Sequence, residues 1–563
     1  MKIGSNKKQS LIQLSITLIS IILLNVIGSF VFKRIDLTSE KRYTLSEATK
    51  KLLVDLEDVV YIKIYLEGEF PAGFKRLRNE TKEMIDEFRA YGGDNIQYEF
   101  INPNESSDEA QKKELYKQLY DHGLKPTDLQ VKGNDGQSQQ IIFPGALLSY
   151  RSREVPLQLL KSRIGAQPEE MLNNSIQGLE YEISNSIRKL TNNNKPKIAF
   201  IDGHGELDTL QTYDIMKSLQ EYYIVERVTL NEQLNSLQLF KAAVIAKPDS
   251  AFTEKDKFIL DQFIMKGGKV LWLIDPMFAT LDSLKSDGST LGISNPLNLD
   301  DQLFKYGVRL NSNLIMDIQA APIPIVTGQT GNQPQQQLFP WYYYPLAFPT
   351  SSHPIVNNLN AVRFEFASSI DTLGNKGVKK TVLLESSKYT KLKNSPVNIS
   401  LGIVRFKPKM EQFNKPNQAM AVLLEGTFQS VFKNRVTSQI LNDSAIQFKG
   451  ESVANKMIVI GDGDVIKNEV KKGSNFIIPL GIDKYTREEY GNKNFILNCM
   501  NYLLDDSGLI SVRSRVLKLR LLDKEAIEKY ALQLKILNTV FPILFIILLG
   551  LIQNTMRKRK YAR

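Results

Sequence analysis

The residues best equipped for chemistry lie in one short turn, Asp202-Gly203-His204-Gly205-Glu206. Two carboxylates and an imidazole at alternate positions can bind a metal ion or act as acid and base. The same side chains also suit a plain local role. Asp202 and Glu206 can cap a following helix while His204 bonds to backbone in a tight turn. Gly461-Asp462-Gly463-Asp464 is a second turn of this type. Asp462 and Asp464 would face the first cluster if their strand were its neighbour in a sheet; otherwise they bond locally, as turn aspartates do. Trp341, Tyr342, Tyr343 and Tyr344 add a run of aromatics, suited to a carbohydrate or protein contact or to core packing. These nine residues form the candidate ligand-binding set.

No complete catalytic motif accompanies them. Gly68 and Gly73 have P-loop spacing, but Phe74 stands where the phosphate-binding lysine belongs, which argues against ATP hydrolysis by that route. H-E-x-x-H and G-x-S-x-G are both missing. Three histidines and one cysteine do not supply a classical zinc site. Cys499 cannot form an intrachain disulfide and sits on an apolar helical stretch, as a small buried hydrophobe would. The chain therefore reads as non-enzymatic, with no cofactor or metal. The alternative is a cell-envelope hydrolase working through Asp202, His204 and Glu206.

The elements around the first turn explain why it is prominent. Ile198 to Ile201 is an apolar run suited to a strand buried on both faces, and Thr209 to Tyr223 follows with helical spacing. A strand, a turn and a helix open an α/β unit, whose ligands bind at the strand's carboxyl end. Further strands near Ile224 to Val228, Ala242 to Ala246 and Lys269 to Ile274 alternate with helices, which implies a parallel sheet covered on both faces. This Rossmann-like α/β domain spans 195–505 and carries an aromatic loop over 320–354. Residues 388–417 and 426–455 read as polar excursions. Upstream, 36–190 shows the order β-α-β-α-β-β-α of a thioredoxin-like domain, without the redox Cys-x-x-Cys pair.

Two apolar segments frame the chain. Residues 11–32 carry no charge and are long enough to span a bilayer; their polar members can bond back along the helix. A cleaved signal peptide is the rival, but the run is long and lacks the small-residue cleavage pattern. Residues 536–553 form the second span, with Pro542 near its start, reached through a juxtamembrane linker and amphipathic helix over 506–535. The tails 1–10 and 554–563 hold eight basic and no acidic side chains, leaving +3 of the net charge of +11 to the body. Such placement argues against a nucleic-acid-binding body and for tails at a membrane surface. Basic tails favour the cytoplasm, so both termini are expected there and the bulk in the periplasm, at the cell inner membrane.

Several motifs in a fixed order resemble the GldG family of gliding-motility-associated ABC transporter accessory proteins. They are DLTSEKRYTLS (Asp36 to Ser46), VYIKIYLEG (Val60 to Gly68), KIAFIDGHGE (Lys197 to Glu206), KGGKVLWLIDP (Lys266 to Pro276), VIGDGDVIKNE (Val459 to Glu469) and NFILNCMNYLL (Asn494 to Leu504). More widely the chain looks like ABC transporter auxiliary proteins with a GIFT-type domain. The resemblance implies an ABC ATPase subunit and a polytopic permease subunit as partners. It also implies an extracytoplasmic role binding an envelope ligand or protein, and no catalytic residues.

Overall fold

The computed structural model describes residues 3–30, 44–514 and 524–561, save 134–135, 193, 285–287, 331–332, 376, 445, 472, 475 and 506. The 31–32 end of the expected first span, the 36–43 part of DLTSEKRYTLS and the 515–523 part of the linker lie outside these residues. The chain forms two compact units, Met1–Val516 and Leu517–Arg563.

Unit one begins with helix α1, Ile3–Phe30. Thr17 Oγ1 donates to the Gln13 carbonyl at 2.9 Å and Asn25 Nδ2 to the Ile21 carbonyl at 3.0 Å, the back-bonding that lets polar side chains sit on an apolar helix. Ser46 caps α2 (Glu47–Val54) by accepting from Thr49 N. The next sheet contains β1 (Val60–Ile64), β2 (Ile96–Phe100), β3 (Gly145–Tyr150) and β4 (Arg153–Gln158), in the order β2-β1-β3-β4. β1 and β2 are parallel; β3 runs antiparallel to both β1 and β4. Helices α3 (Ala72–Gly92), α4 (Glu109–Asp121) and α5 (Pro168–Thr191) complete this part. A two-stranded hairpin, Thr127–Gly133 with Gly136–Ile142, is inserted before β3, and β3 and β4 form a second hairpin after it.

The central sheet contains β5 (Lys197–Asp202), β6 (Ile224–Thr229), β7 (Ala242–Ala246) and β8 (Lys269–Leu273). After these come β9 (Ala320–Thr330) and β10 (Gln333–Ala347), which pair with each other outside the sheet. β11 (Val378–Glu385), β12 (Ala419–Gly426) and β13 (Asn455–Ile460) return to it, giving the order β11-β12-β13-β8-β7-β5-β6. The five strands from β13 to β6 are parallel, and β12 and β11 extend one edge antiparallel. Alternate residues of the strands feed two separate cores, as the two-residue period of a strand requires. Phe200, Val244, Leu271 and Ile458 pack under α6 (Tyr213–Leu219) and α9 (Asn492–Leu503). Ile201, Ile245, Trp272 and Val459 pack under α7 (Glu254–Met265) and α8 (Asp300–Tyr306). Each fully buried aliphatic side chain contributes about 1.5–3 kcal/mol, so the buried apolar residues of these strands hold the sheet. Cys499 lies in the first core, where burial pushes its thiol well above the ordinary range.

The stretch expected as an aromatic loop is the β9–β10 hairpin, whose base is core. Trp341, Tyr342, Tyr343 and Tyr344 are all buried, at 0–9% exposure. Tyr343 and Tyr344 pack on Phe366 with ring centroids 5.8 and 5.5 Å away, and Tyr342 meets Phe413 at 5.9 Å. Pro322 and Pro324 lie on β9, a sheet-edge strand where a missing N–H is tolerated. The polar excursion 388–417 folds in part, since Thr390–Asn394 pairs with Asn313–Asp317 and Val397–Ser400 with Ser289–Ser294, and 426–455 holds a short helix, Ser438–Asn442.

In the second unit, α10 (Lys524–Lys529) precedes α11 (Ala531–Tyr561). Residues Ala531–Arg559 are long and apolar enough to cross a membrane. Pro542 falls well inside α11, not near its start, because the helix begins upstream of the apolar run. Among the described side chains of α1, the apolar stretch is Ile12–Val26, shorter than a full span.

Candidate functional site: the carboxyl ends of the central strands

β5, β7, β8 and β13 end together, so their following turns share one edge of the sheet. The 202–206 turn after β5 is satisfied locally. Asp202 receives Arg227 Nε at 2.8 Å and also its Nη2; the same guanidinium donates to Thr212 and to the Leu207 carbonyl. His204 turns away from Asp202. Its Nδ1 lies 3.1 Å from Glu206 Oε1 and its Nε2 3.3 Å from Asp256 Oδ2. Its ring stacks on Phe252 with centroids 3.7 Å apart. Burial works against its charge, but the two carboxylates outweigh burial and hold the imidazole above its ordinary 6.5. Glu206 also accepts from the His204 backbone N–H at 2.7 Å. The helix α6 that follows takes no cap from this turn; Thr212 occupies its N-cap without a side-chain bond. Asp202, His204 and Glu206 are thus split between two ion-pair networks. Among the described residues they do not gather as a metal-ligand group.

Gly205 shows how tightly the turn is closed. Its φ is +73°, and a Cβ there would fall 1.6 Å from Asp249 Oδ1. The His204 carbonyl accepts both the Asp249 and Ser250 backbone N–H groups, so the loop after β7 lies directly on the turn.

The 461–464 turn is different. β13 is separated from β5 by β8 and β7, so Asp462 and Asp464 do not meet the first cluster. They meet Lys247, from the end of β7, and Asp275, from just beyond β8. Lys247 Nζ lies 3.1 Å from Asp275 Oδ2 and also contacts Asp464 Oδ2. Lys467 Nζ reaches Asp464 Oδ1 at 3.0 Å. Gly463 brings the turn onto Lys247: a Cβ there would lie 2.5 Å from Lys247 Cβ. Asp462 accepts from the Asp464 and Glu365 backbone N–H groups.

Burial and nearby charge divide these carboxylates. Burial raises Asp462 well above the ordinary range, with Asp275 adding to the effect, and burial also raises Asp275. Burial opposes ionisation of Asp464 too, but Lys247 and Lys467 overcome it and hold that group below the carboxylate range. The oxygens of Asp275, Asp462 and Asp464 lie within 4.8 Å of one another, close enough for a cation. Two lysine ammonium groups already supply positive charge there.

This network forms one wall of a cavity of about 770 Å³. Asp464, Lys247, Lys467 and Tyr344 line it, together with Arg363 and Glu365. Arg363 holds Glu365 at 2.8 Å and Asp483 at 2.9 Å. Sequence reasoning missed Lys247, Asp275, Arg363, Glu365 and Lys467. Two of them carried a signal: Lys247-Pro248 and Asp275-Pro276 are charged residues that close apolar runs. Arg363 and Glu365 carried none, since only folding brings the 362–366 segment to this edge.

The geometry defines an α/β protein with a charged crevice at the carboxyl ends of its strands. The chain belongs to the ABC-transporter auxiliary family described as an ABC-type uncharacterized transport system, which matches residues 195–499. It is an accessory component of such a system. Residues 39–149 match a domain of unknown function. An uncharacterized protein of Borreliella burgdorferi is 22% identical over 569 residues, covering 99% of each chain. A solved structure, the mmIFT52 N-terminal domain, is 13% identical with a TM-score of 0.30; the match covers 55% of this chain and 96% of that one.

Proposed function

We propose that this chain is the non-enzymatic, membrane-anchored binding component of an ABC transporter complex. It works beside an ABC ATPase subunit and a polytopic permease subunit, in the role that GldG plays in gliding motility. The observation that carries the reading is the apolar Ala531–Arg559 helix on a chain of a transport family. In this reading α1 is a second anchor, both termini are cytoplasmic and the bulk is periplasmic at the inner membrane. The order β2-β1-β3-β4, with one parallel pair and an antiparallel hairpin, supports a thioredoxin-like N-terminal part. The five parallel strands support a Rossmann-like, GIFT-type central domain. Of the candidate residues read from the sequence, Asp464 and Tyr344 line the large cavity and stay in the ligand-binding set. The full pairing of Asp202, His204 and Glu206 favours a structural role over hydrolysis.

The test is purification of the tagged chain from its own host in mild detergent, with mass spectrometry of what accompanies it. A P-loop ATPase and a polytopic permease in fixed ratio are expected. Recovery of the chain alone across several detergents overturns the reading.

A further inference from the structure

We propose that the cavity of about 770 Å³ beside Asp464 binds a small amphipathic anion, an apolar or aromatic body bearing a carboxylate or phosphate. The assignment rests on the reading of the chain as a binding component and names the ligand class of that site. The volume falls within the roughly 300–1,000 Å³ of small-molecule sites.

Charge bookkeeping sets the sign of the ligand. The carboxylates along this cavity have partners, Asp282 included. Asp464 faces Lys247 and Lys467. Glu365 and Asp483 face Arg363, and Glu469 faces Lys484 at 2.6 Å. Two lining cations remain: among the described residues, neither Lys471 nor Arg487 meets a carboxylate. A cationic ligand would compete with these formed ion pairs, whereas an anion finds two unpaired positive groups. A charge-assisted hydrogen bond to each is stronger than one between neutral groups.

The segment bearing Arg487 is built to present it. Asp483 Oδ1 accepts from the Tyr485 and Thr486 backbone N–H groups at 2.9 and 2.8 Å, and from the Thr486 hydroxyl at 3.1 Å. Arg363 holds the other oxygen of Asp483. Arg487 itself adopts φ +62°, a left-handed conformation that a non-glycine residue keeps only when its surroundings enforce it. The Lys471 backbone is held by its N–H donating to the Phe476 carbonyl at 2.9 Å. Beside these cations, the rings of Phe476 and Tyr485 are 63% and 42% exposed. Exposed rings next to unpaired cations are complementary to a molecule with an apolar body and an anionic end.

The experiment uses the full chain in a non-ionic detergent and calorimetric titration with 2-naphthoate, 2-naphthyl phosphate and neutral 2-naphthamide. Saturable binding of at least one anion is expected, with the amide weaker by about tenfold or more. The double variant Lys471→Gln/Arg487→Gln should weaken anion binding by at least about tenfold and leave the melting temperature unchanged. Which anion binds more tightly identifies carboxylate or phosphate as the natural group. Equal binding of the amide, unchanged affinity in the double variant, or no saturable binding of either anion overturns the assignment. The readout needs neither ATPase nor permease, so those failures leave the accessory-component reading standing. Loss of the partners from the wild-type purification would sink that reading instead.

Discussion

The 202–206 and 461–464 turns have nearly the same composition and opposite surroundings. Each follows an apolar strand of one sheet, and each mixes glycine with carboxylates. In the first, Arg227 takes Asp202, and His204 bridges Glu206 and Asp256. In the second, charges converge from β7, β8 and β13, and one side of the network faces a cavity. Position in the sheet causes the difference. β5 lies next to the edge strand β6, so its turn meets Arg227 and the loop folded back after β7. β13 lies inside the sheet, so its turn meets two other strand ends. A motif read from one strand end reveals little chemistry until the neighbouring strand ends are known.

Substitutions can break this comparison. The largest loss is expected from a residue in neither turn. Trp341→Ala should cost about 3–5 kcal/mol, because the side chain is fully buried in the aromatic core. A melting temperature within a degree or two of wild type would return the aromatic run to the list of binding surfaces. Lys247→Ala should come next, at about 3–4 kcal/mol, since it leaves Asp275 and Asp464 buried without their shared counter-charge. Adding Asp464→Asn should recover part of that loss. Denaturant unfolding of the single and double variants measures both, and an additive double variant would show that the ion pairs carry no coupling.

Much of the architecture was legible because it rests on local patterns. The apolar runs at 198–201, 242–246 and 269–274 are strands. Non-local facts were hidden. The proline-rich 320–354 stretch reads as a loop, yet Ala320–Thr330 pairs with Gln333–Ala347 as a hairpin. Its aromatics meet segments that arrive more than twenty residues away in sequence, such as the bend holding Phe366. The site suffered most. Lys247, Asp275, Arg363 and Asp464 come from four separate segments, and no spacing rule links them. Proximity of strand ends, not a motif, makes the crevice.

Smaller effects separate the turns further. His204→Ala should cost about 1–3 kcal/mol, because it removes the stacking on Phe252 and leaves Glu206 and Asp256 without their shared partner. A normal transport phenotype in this variant would fit a structural role. A lost phenotype with unchanged melting would point to chemistry at the turn.

The smallest effect is a difference in sign with pH. The folded-state pKa of His204 is raised above its unfolded value of about 6.5. Its stabilisation is therefore fully present below about pH 6.5 and is lost as pH rises through the folded value. Asp464 behaves oppositely. Its folded-state pKa is lowered, so its stabilisation is present above its unfolded value, near pH 4, and is lost as pH falls through the folded value. Asp275 and Asp462, raised by burial, offset part of that acid-side loss, so differences against single variants isolate each group better than the wild-type profile does. Melting temperatures of wild type, His204→Gln and Asp464→Asn across the acid-to-alkaline range provide the test. The gap between wild type and His204→Gln should narrow toward alkaline pH, and that for Asp464→Asn should narrow toward acid. Gaps that narrow in the same direction would mean that the two turns do not hold their charges in the different ways their ion pairs indicate.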